Sequence, residues 1–163
     1  GIIATGIKKG VATQDSIEDA INSMSSLNKN SAQELRGYNV NAVTDVTGFG
    51  LLGHLKEMCE NSDVSSKINF QDLLFLDGAK ELAMSGVMPG GTKRNLKSVE
   101  KVVSFNDHLS EIEQLLSADA QTSGGLLVSM PLEDARSYVK KVNGQTAIIG
   151  QITEKKPYLI KVY

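Results

Sequence analysis

The sequence predicts an α+β domain in which helices pack on a mixed β-sheet. Short β-branched segments alternate along the chain with stretches whose apolar residues recur at helical spacing. Some neighbouring segments are joined by tight turns, which suit antiparallel strands, whereas parallel strands need a longer crossover. The 163 residues are 40% apolar and 22% charged, so the chain suits one domain with a sizeable core.

The first half of the chain starts with a β-branched segment and then shows helical periodicity. Apolar residues recur every three or four positions over 17–27, after Asp15 or Ser16 as a candidate N-cap. Gly37 is expected to end a second, shorter helix. The elements expected here are a strand at 2–7, helices at 17–27 and 31–36, a strand at 40–46, a helix at 50–60 and a strand at 67–70. The helix at 50–60 is expected to bury one apolar stripe, formed by Leu51, Leu52, Leu55, Met58 and Cys59.

The second half has the same alternation. A helix is predicted over 73–87, halted by Gly86 and Pro89, and residues 89–98 form a glycine-rich loop or helix entrance. Gly144 is expected to end the helix over 132–142. The remaining elements expected are a helix at 109–116, strands at 126–130, 146–152 and 158–162, and a turn at 154–157.

Composition excludes several classes of function. The net charge of −2 and the shortness of every basic cluster argue against nucleic acid or an anionic membrane as a partner. No apolar run approaches the roughly 20 residues that span a bilayer, and the N-terminus lacks the order of a signal peptide. Cys59 is the single cysteine, which excludes an internal disulfide. We therefore expect a cytoplasmic domain, and because the chain starts on Gly1 inside an apolar segment we expect a fragment of a larger protein.

The most informative segment is Thr-Asp-Val-Thr-Gly-Phe-Gly-Leu-Leu-Gly-His at residues 44–54. A strand runs into a glycine-rich turn and then a helix, so an anion could approach exposed N–H groups and the positive end of the helix dipole. We expect Thr47, Gly48 and Gly50 to face a phosphate. Asp45 could hold the accompanying cation, or it could simply cap the helix.

Three glycines of this segment, at positions 48, 50 and 53, also fit the dinucleotide fingerprint G-x-G-x-x-G. Asp72 lies about 20 residues further on, as that fingerprint asks. However, Asp45 precedes the glycines, and the chain lacks further parallel βαβ units. The alternative is that the glycines permit a sharp turn and close helix packing, which we favour for Gly53.

The two histidines and the single cysteine have ordinary structural interpretations. His54 borders the apolar stripe and is predicted to be a partly buried, hydrogen-bonded residue rather than a ligand. His108 precedes a helix and is expected to be solvated. Cys59 lies on the stripe and should be an inert, buried thiol.

Two further glycine-rich segments have the chemistry of an anion site. Residues 90–95, Gly-Gly-Thr-Lys-Arg-Asn, combine flexible backbone with Thr92, Arg94 and Asn95, and Arg94 can bind an oxyanion through two parallel hydrogen bonds. Residues 119–125, Asp-Ala-Gln-Thr-Ser-Gly-Gly, place an acid and hydroxyls before paired glycines. Each could be an ordinary turn, but three such segments in one small domain favour a shared anionic site.

Together the three segments resemble the signature segments of the selenophosphate synthetases (selenide, water dikinases). The similar stretches are Thr44 to His54, Pro89 to Asn95, and Asp119 to Leu127, in that order. The resemblance covers essentially all 163 residues, but only the C-terminal half of those enzymes. It implies a fold like the C-terminal domain of aminoimidazole ribonucleotide synthetase.

The resemblance also implies a reaction in which ATP, hydrogen selenide and water give selenophosphate, AMP and orthophosphate, with Mg²⁺. In that family the aspartate of the first segment is a magnesium ligand, which assigns this role to Asp45. The later two segments are expected to face the same interdomain cleft. The full protein is expected to be a homodimer.

The family's N-terminal half holds the reactive cysteine or selenocysteine, the catalytic lysine, most ATP contacts and the other magnesium aspartates. We therefore expect no catalytic residue among residues 1–163 and no dikinase activity of this domain alone, since one carboxylate cannot hold several Mg²⁺ ions. Two alternatives are a non-catalytic module that binds a phosphorylated metabolite and a related ATP-dependent synthetase of purine or thiamine biosynthesis.

Overall fold

The computed structural model describes residues 1–142 and 146–163. The first half of the fold begins with helices and contains two of the strands. Its elements are α1 (Ile2–Lys9), α2 (Gln14–Ser25), α3 (Lys29–Glu34), a 3-10 turn (Leu35–Gly37), β1 (Ala42–Asp45), α4 (Gly50–Asn61), β2 (Ser65–Ile68) and a second 3-10 turn (Phe70–Asp72).

The second half alternates helices with strands. Its elements are α5 (Ala79–Met84), α6 (Gly90–Val99), β3 (Val103–Phe105), α7 (Glu111–Ser117), β4 (Leu126–Ser129), α8 (Leu132–Val142), β5 (Gly150–Thr153) and β6 (Ile160–Val162). Among the residues described, no helix is both long enough and apolar enough to cross a bilayer.

The strands form two sheets. The larger is mixed, with the order β3-β6-β2-β5: β6 runs parallel to both β3 and β2, while β5 is antiparallel to β2. The smaller is an antiparallel ribbon of β1 and β4, in which Asp45 pairs with Leu126. The predicted α+β class with a mixed sheet is confirmed, and β1 lies in the ribbon.

The core lies between the mixed sheet and the helices that cover it. Buried side chains of α1, α4, α5 and α6 meet those of β2 and β6 in one hydrophobic cluster. The members that are almost completely buried include Ile2, Leu52, Cys59, Val99, Ala118, Ile160 and Val162. Burying this apolar surface, at about 25 cal/mol per Å², is the main force that holds the layers together.

The strand expected at residues 2–7 is wrong, because this segment is helix α1. Ile2, Ile3 and Gly6 are its buried residues, which is a helical repeat, and Gly10 ends the helix in a left-handed conformation with φ of 70°. Lys8 and Lys9 in the last turn interact favourably with the negative end of the helix dipole, which also favours a helix that ends here. The β-branched composition of the segment pointed to a strand, but the packing of one helical face outweighs that weak preference.

Other helix boundaries also differ from expectation. The N-cap of α2 is Thr13, which accepts a hydrogen bond from the Ser16 N–H, rather than Asp15 or Ser16. The helix expected over 73–87 is reduced to α5, because Gly78, with φ of 83°, starts it late and Gly86, with φ of 84°, follows its end. The stop expected at Gly144 lies outside the described residues.

The predicted helices at 50–60, 109–116 and 132–142 are confirmed to within about two residues, as are the strands at 126–130 and 158–162. Strand β5 is shorter than expected and starts only at Gly150. Residues 89–98, described above as a loop or helix entrance, are almost all in helix α6. Strand β3 was not predicted, because its three residues give too little periodicity to detect.

Candidate functional site

The turn after β1 is held to the 119–125 segment by backbone hydrogen bonds. The Val46 N–H donates to the Gly125 carbonyl, and the Gly124 N–H donates back to the Val46 carbonyl, both at 3.0 Å. The Gln121 N–H donates to the Thr47 carbonyl at 3.1 Å. Two of the three glycine-rich segments are therefore one continuous backbone unit.

Gly50 is where this unit demands glycine. Its φ is 68°, a left-handed conformation, and a Cβ placed there would lie 2.7 Å from the carbonyl oxygens of both Ala118 and Asp119. Gly124 is similarly enclosed, since its Cβ would collide with the Val46 carbonyl oxygen. Gly48, by contrast, is exposed and has open space on its Cβ side. Gly48, like exposed Gly125, thus has room beside it for a ligand.

The 90–95 segment joins the same site through Asn95. Its side-chain Nδ2 donates to the Gly48 carbonyl at 2.8 Å and to the Ala118 carbonyl at 3.2 Å. The amide thus links helix α6 to the 44–54 segment and to the residue just before the 119–125 segment. The three segments therefore lie together, and their role as a shared anionic site stays a prediction.

Asp119 has a structural role that the sequence did not reveal. Its Oδ1 accepts a 2.6 Å hydrogen bond from the hydroxyl of Thr92, which is completely buried. Its Oδ2 accepts a 3.1 Å hydrogen bond from the Ile2 N–H at the start of α1. Asp119 therefore caps α1 across a sequence separation of 117 residues. A carboxylate at a helix N-terminus is a common cap, but the long separation hides it from local pattern analysis.

Asp45 lies at the end of β1 with its side chain exposed to solvent. It borders an open cleft of about 600 Å³, together with Arg36, Val43 and Leu126 among others. The interpretation of Asp45 as a helix cap is wrong, because α4 starts after Phe49 and has no side-chain cap. Its carboxylate is therefore available to a ligand.

The donor set decides what kind of cation Asp45 could hold. The described residues contain no group of three or more His, Cys, Asp or Glu side chains that could hold a metal ion. Mg²⁺ is typically bound by one or two carboxylates plus phosphates and water rather than by an all-protein cage. An exposed single carboxylate fits Mg²⁺ as one ligand of a shared shell.

The first turn of α6 presents a cationic side chain and uncapped backbone. Pro89 occupies the N-cap, and no described side chain caps this helix. Arg94 is exposed, and its guanidinium folds back so that a terminal nitrogen would lie 3.3 Å from a Cβ on Gly90. Helix N–H groups and an arginine at one place favour an oxyanion.

Interpretations of four other residues are confirmed. His54 is buried and its Nε2 lies 3.1 Å from the Thr47 hydroxyl, and a Cβ on Gly53 would lie 2.6 Å from the Phe49 Cβ, so this glycine serves packing. His108 is exposed. Cys59 is buried, and its burial raises the pKa of the thiol, which keeps it protonated and unreactive.

The dinucleotide interpretation of the glycines is wrong. A Rossmann unit needs β1 to lie parallel to the next strand of its sheet, whereas the described residues pair β1 only with β4, antiparallel. Asp72 lies in a 3-10 turn and accepts a 2.9 Å hydrogen bond from the Asn69 side chain. The glycines therefore serve the turn and the helix packing.

Fold and site together define an α+β domain in which three glycine-rich segments lie together, two of them carrying the exposed side chains of Asp45 and Arg94. The family of AIR synthase related protein, C-terminal domain, matches residues 8–162. The chain belongs to this family.

Curated relatives extend this result. The chain is 40% identical over 156 residues to a "Selenide, water dikinase" of Aliarcobacter butzleri (strain RM4018), covering 93% of this chain and 45% of the relative. It is 40% identical over 160 residues to "Selenide, water dikinase 2" of Peptoclostridium acidaminophilum, covering 96% and 46%. A "Selenide, water dikinase" of Myxococcus xanthus (strain DK1622) is 40% identical over 162 residues, covering 96% and 46%. The chain thus spans about half the length of these relatives.

Proposed function

We propose that this chain is the C-terminal domain of a cytoplasmic, homodimeric selenide, water dikinase. In that role it closes over ATP held mainly by the N-terminal half of the same protein, and the whole makes selenophosphate, AMP and orthophosphate from ATP, selenide and water with Mg²⁺. The observation that carries the proposal is 40% identity to curated dikinases over 93–96% of this chain. No catalytic residue is assigned to residues 1–163.

Within this proposal Asp45 is one ligand of a Mg²⁺ ion that also binds ATP phosphates. The exposure of its side chain and the absence of any capping role leave the carboxylate available. Because nearby carboxylates do not complete a metal site in the described residues, the other ligands come from phosphates, water and the N-terminal half.

The residues expected to face phosphate fall into two groups, according to whether their polar groups already form hydrogen bonds within the protein. Arg94 and the first N–H groups of α6 bind phosphate oxygens directly, and exposed Gly48 lets the phosphate approach the backbone. Gly50, Thr92 and Asn95 hold the frame, since the Gly50 N–H donates to the Thr47 carbonyl and the Thr92 hydroxyl to Asp119.

The decisive experiment is Asp45→Ala in the full-length protein, with selenophosphate formation followed by ³¹P NMR. Loss of an outer-shell partner of a metal typically costs 10–100-fold, so loss of a direct ligand should lower the rate at least about 100-fold. Asp107→Ala, which removes an exposed carboxylate between β3 and α7, is the matched control and should keep the normal rate.

Near-normal turnover of Asp45→Ala at saturating Mg²⁺ would contradict the assignment of Asp45. The 163-residue chain alone should show no turnover in the same assay. If the full-length protein bound a phosphorylated metabolite without consuming ATP, the dikinase proposal itself would be wrong, and the binding-module alternative would replace it.

A further inference from the structure

The buried side chain of His54 contacts two polar side chains, one of them in the turn that follows β1. His54 is only 8% exposed, and its two ring nitrogens meet different groups. Nε2 lies 3.1 Å from the Thr47 Oγ1, and Nδ1 lies 3.5 Å from the Glu57 Oε2. Phe49 packs against the ring, with centroids 5.7 Å apart. The imidazole is thus enclosed between a hydroxyl and a carboxylate.

The carboxylate sets which nitrogen carries the proton. In a neutral imidazole one nitrogen is a donor and the other an acceptor, and an ionised carboxylate can only accept. Glu57 therefore favours the proton on Nδ1 by electrostatic attraction at 3.5 Å. Nε2 is then the acceptor, so the Thr47 hydroxyl must donate its single proton to His54.

This arrangement fixes the polarity of the Thr47 oxygen. A hydroxyl has one proton and two lone pairs, and once the proton points at His54 only lone pairs remain for other partners. An oxygen that only accepts repels a phosphate oxygen but suits a cation or a water that donates. Thr47 therefore differs in chemistry from Arg94, although both lie in the glycine-rich segments.

Thr47 lies two residues after Asp45, in the turn that follows β1. Alternate residues of an extended chain point to the same side. Ala42 and Val46 line an internal cleft, whereas Val43 and Asp45 are exposed on the opposite face. The hydrogen bonds of Val46 to residues 124 and 125 hold this turn against the end of the ribbon, so Thr47 is kept beside the strand end that carries Asp45.

We infer that His54, oriented by Glu57, is a positioning residue that turns the Thr47 oxygen into an acceptor for the Mg²⁺ shell held by Asp45. Thr47 binds a metal-coordinated water and not a phosphate oxygen. The inference rests on the proposed magnesium site for its ligand, but the hydrogen-bond polarity on which it depends can be tested without metal. It divides the site into a cation side, Asp45 and Thr47, and an anion side at Arg94.

The first test is the tautomer of His54 in the metal-free, full-length protein with ¹⁵N-labelled histidine. In the neutral form of the ring, ¹⁵N shifts should show a protonated Nδ1 and a bare Nε2. His54→Gln identifies the signal by its loss. Glu57→Gln should move the ring toward the other tautomer, while His108→Gln should leave the His54 signal unchanged. A protonated Nε2 in the wild-type protein overturns the inference.

The second test separates cation binding from phosphate binding. Thr47→Val in the full-length enzyme should raise the Mg²⁺ concentration for half-maximal rate about 10-fold, the usual cost of an outer-shell partner, with the KM for ATP unchanged at saturating Mg²⁺. Thr47→Ser should restore the wild-type Mg²⁺ dependence. A rise in the KM for ATP at saturating Mg²⁺ would place Thr47 on the phosphate and overturn the inference.

The two proposals fail separately. If Asp45→Ala retains normal turnover while His54 shows the expected tautomer, the magnesium assignment is wrong but the polarity of Thr47 stands. If Asp45→Ala is inactive and Nε2 is protonated, the magnesium site stands and the positioning role of His54 is wrong.

Discussion

Two pairs of glycines, one in a turn and one at the start of a helix, have different structural roles in this domain. The pair Gly48 and Gly50 lies in a turn, where Gly50 has φ of 68° and a Cβ on it would lie 2.7 Å from the carbonyl oxygens of residues 118 and 119. The pair Gly90 and Gly91 starts the regular helix α6, where a Cβ on Gly91 would meet nothing closer than 3.8 Å. Of these four positions, only that of Gly50 sterically requires glycine.

The difference shows that a glycine-rich segment is not by itself evidence of flexibility or of a ligand. In the turn, the absent Cβ lets two backbone segments approach closely enough to exchange hydrogen bonds. At the start of α6, the small residues leave the first N–H groups uncovered beside Arg94. Gly50 builds the frame, whereas Gly90 and Gly91 leave exposed the backbone that a phosphate could reach.

The largest effect should come from Gly50→Ala. An L-residue forced into the left-handed region beside two carbonyl oxygens should lower the free energy of unfolding by about 2 kcal/mol or more. Urea denaturation of the 163-residue chain, followed by circular dichroism, measures this. Gly48→Ala is the matched control, because open space surrounds that position, and equal stability of the two variants would refute the steric role of Gly50.

A smaller effect is expected from Thr92→Val, which removes the hydroxyl group that donates a hydrogen bond to Asp119. The Oδ1 of half-buried Asp119 loses its 2.6 Å partner, and because a buried acceptor left without its donor typically costs about 1–3 kcal/mol, we expect a loss near the lower end of that range. Thr92→Ser keeps the hydroxyl and should regain most of the difference in the same denaturation experiment. If the valine variant matches the wild type, Asp119 does not depend on this bond.

The smallest effect should come from Gly91→Ala, and it should have the opposite sign. Alanine loses less conformational entropy in a helix than glycine, so the variant should gain about 0.5 kcal/mol. The added methyl would make only ordinary contact with Ala120 at 3.8 Å. A loss as large as that of Gly50→Ala would mean that the two glycine pairs are equivalent after all.

The sequence predicted the elements whose signals are local. Helix α7 follows Ser110, which forms a capping box with Glu113, and α4 shows its apolar stripe directly in the spacing of its residues. Helix α1 was mistaken for a strand, because its start is capped by Asp119, which lies 117 residues away in the sequence. Eight residues of β-branched composition contain no local signal for that cap.

Short sequence patterns indicated candidate residues for the site but not which of them form contacts within the protein. That Asp45, Arg94 and the glycines bind a cation and an anion stays a prediction. That Thr92 faces Asp119, and that Asn95 bridges Gly48 and Ala118, depends on contacts between segments separated by 23 to 47 residues. Side chains that looked like ligand contacts are hydrogen-bonded to the protein itself.

The sequence by itself determined the α+β class, the family resemblance and the three glycine-rich segments, because periodicity, turn chemistry and motif spacing are properties of neighbouring residues. Tertiary structure decided that β1 pairs with β4 outside the mixed sheet, that Gly50 must be glycine and that Thr47 faces His54. These outcomes depend on which surfaces pack together and on which buried polar groups need partners, and both are settled only when distant segments meet.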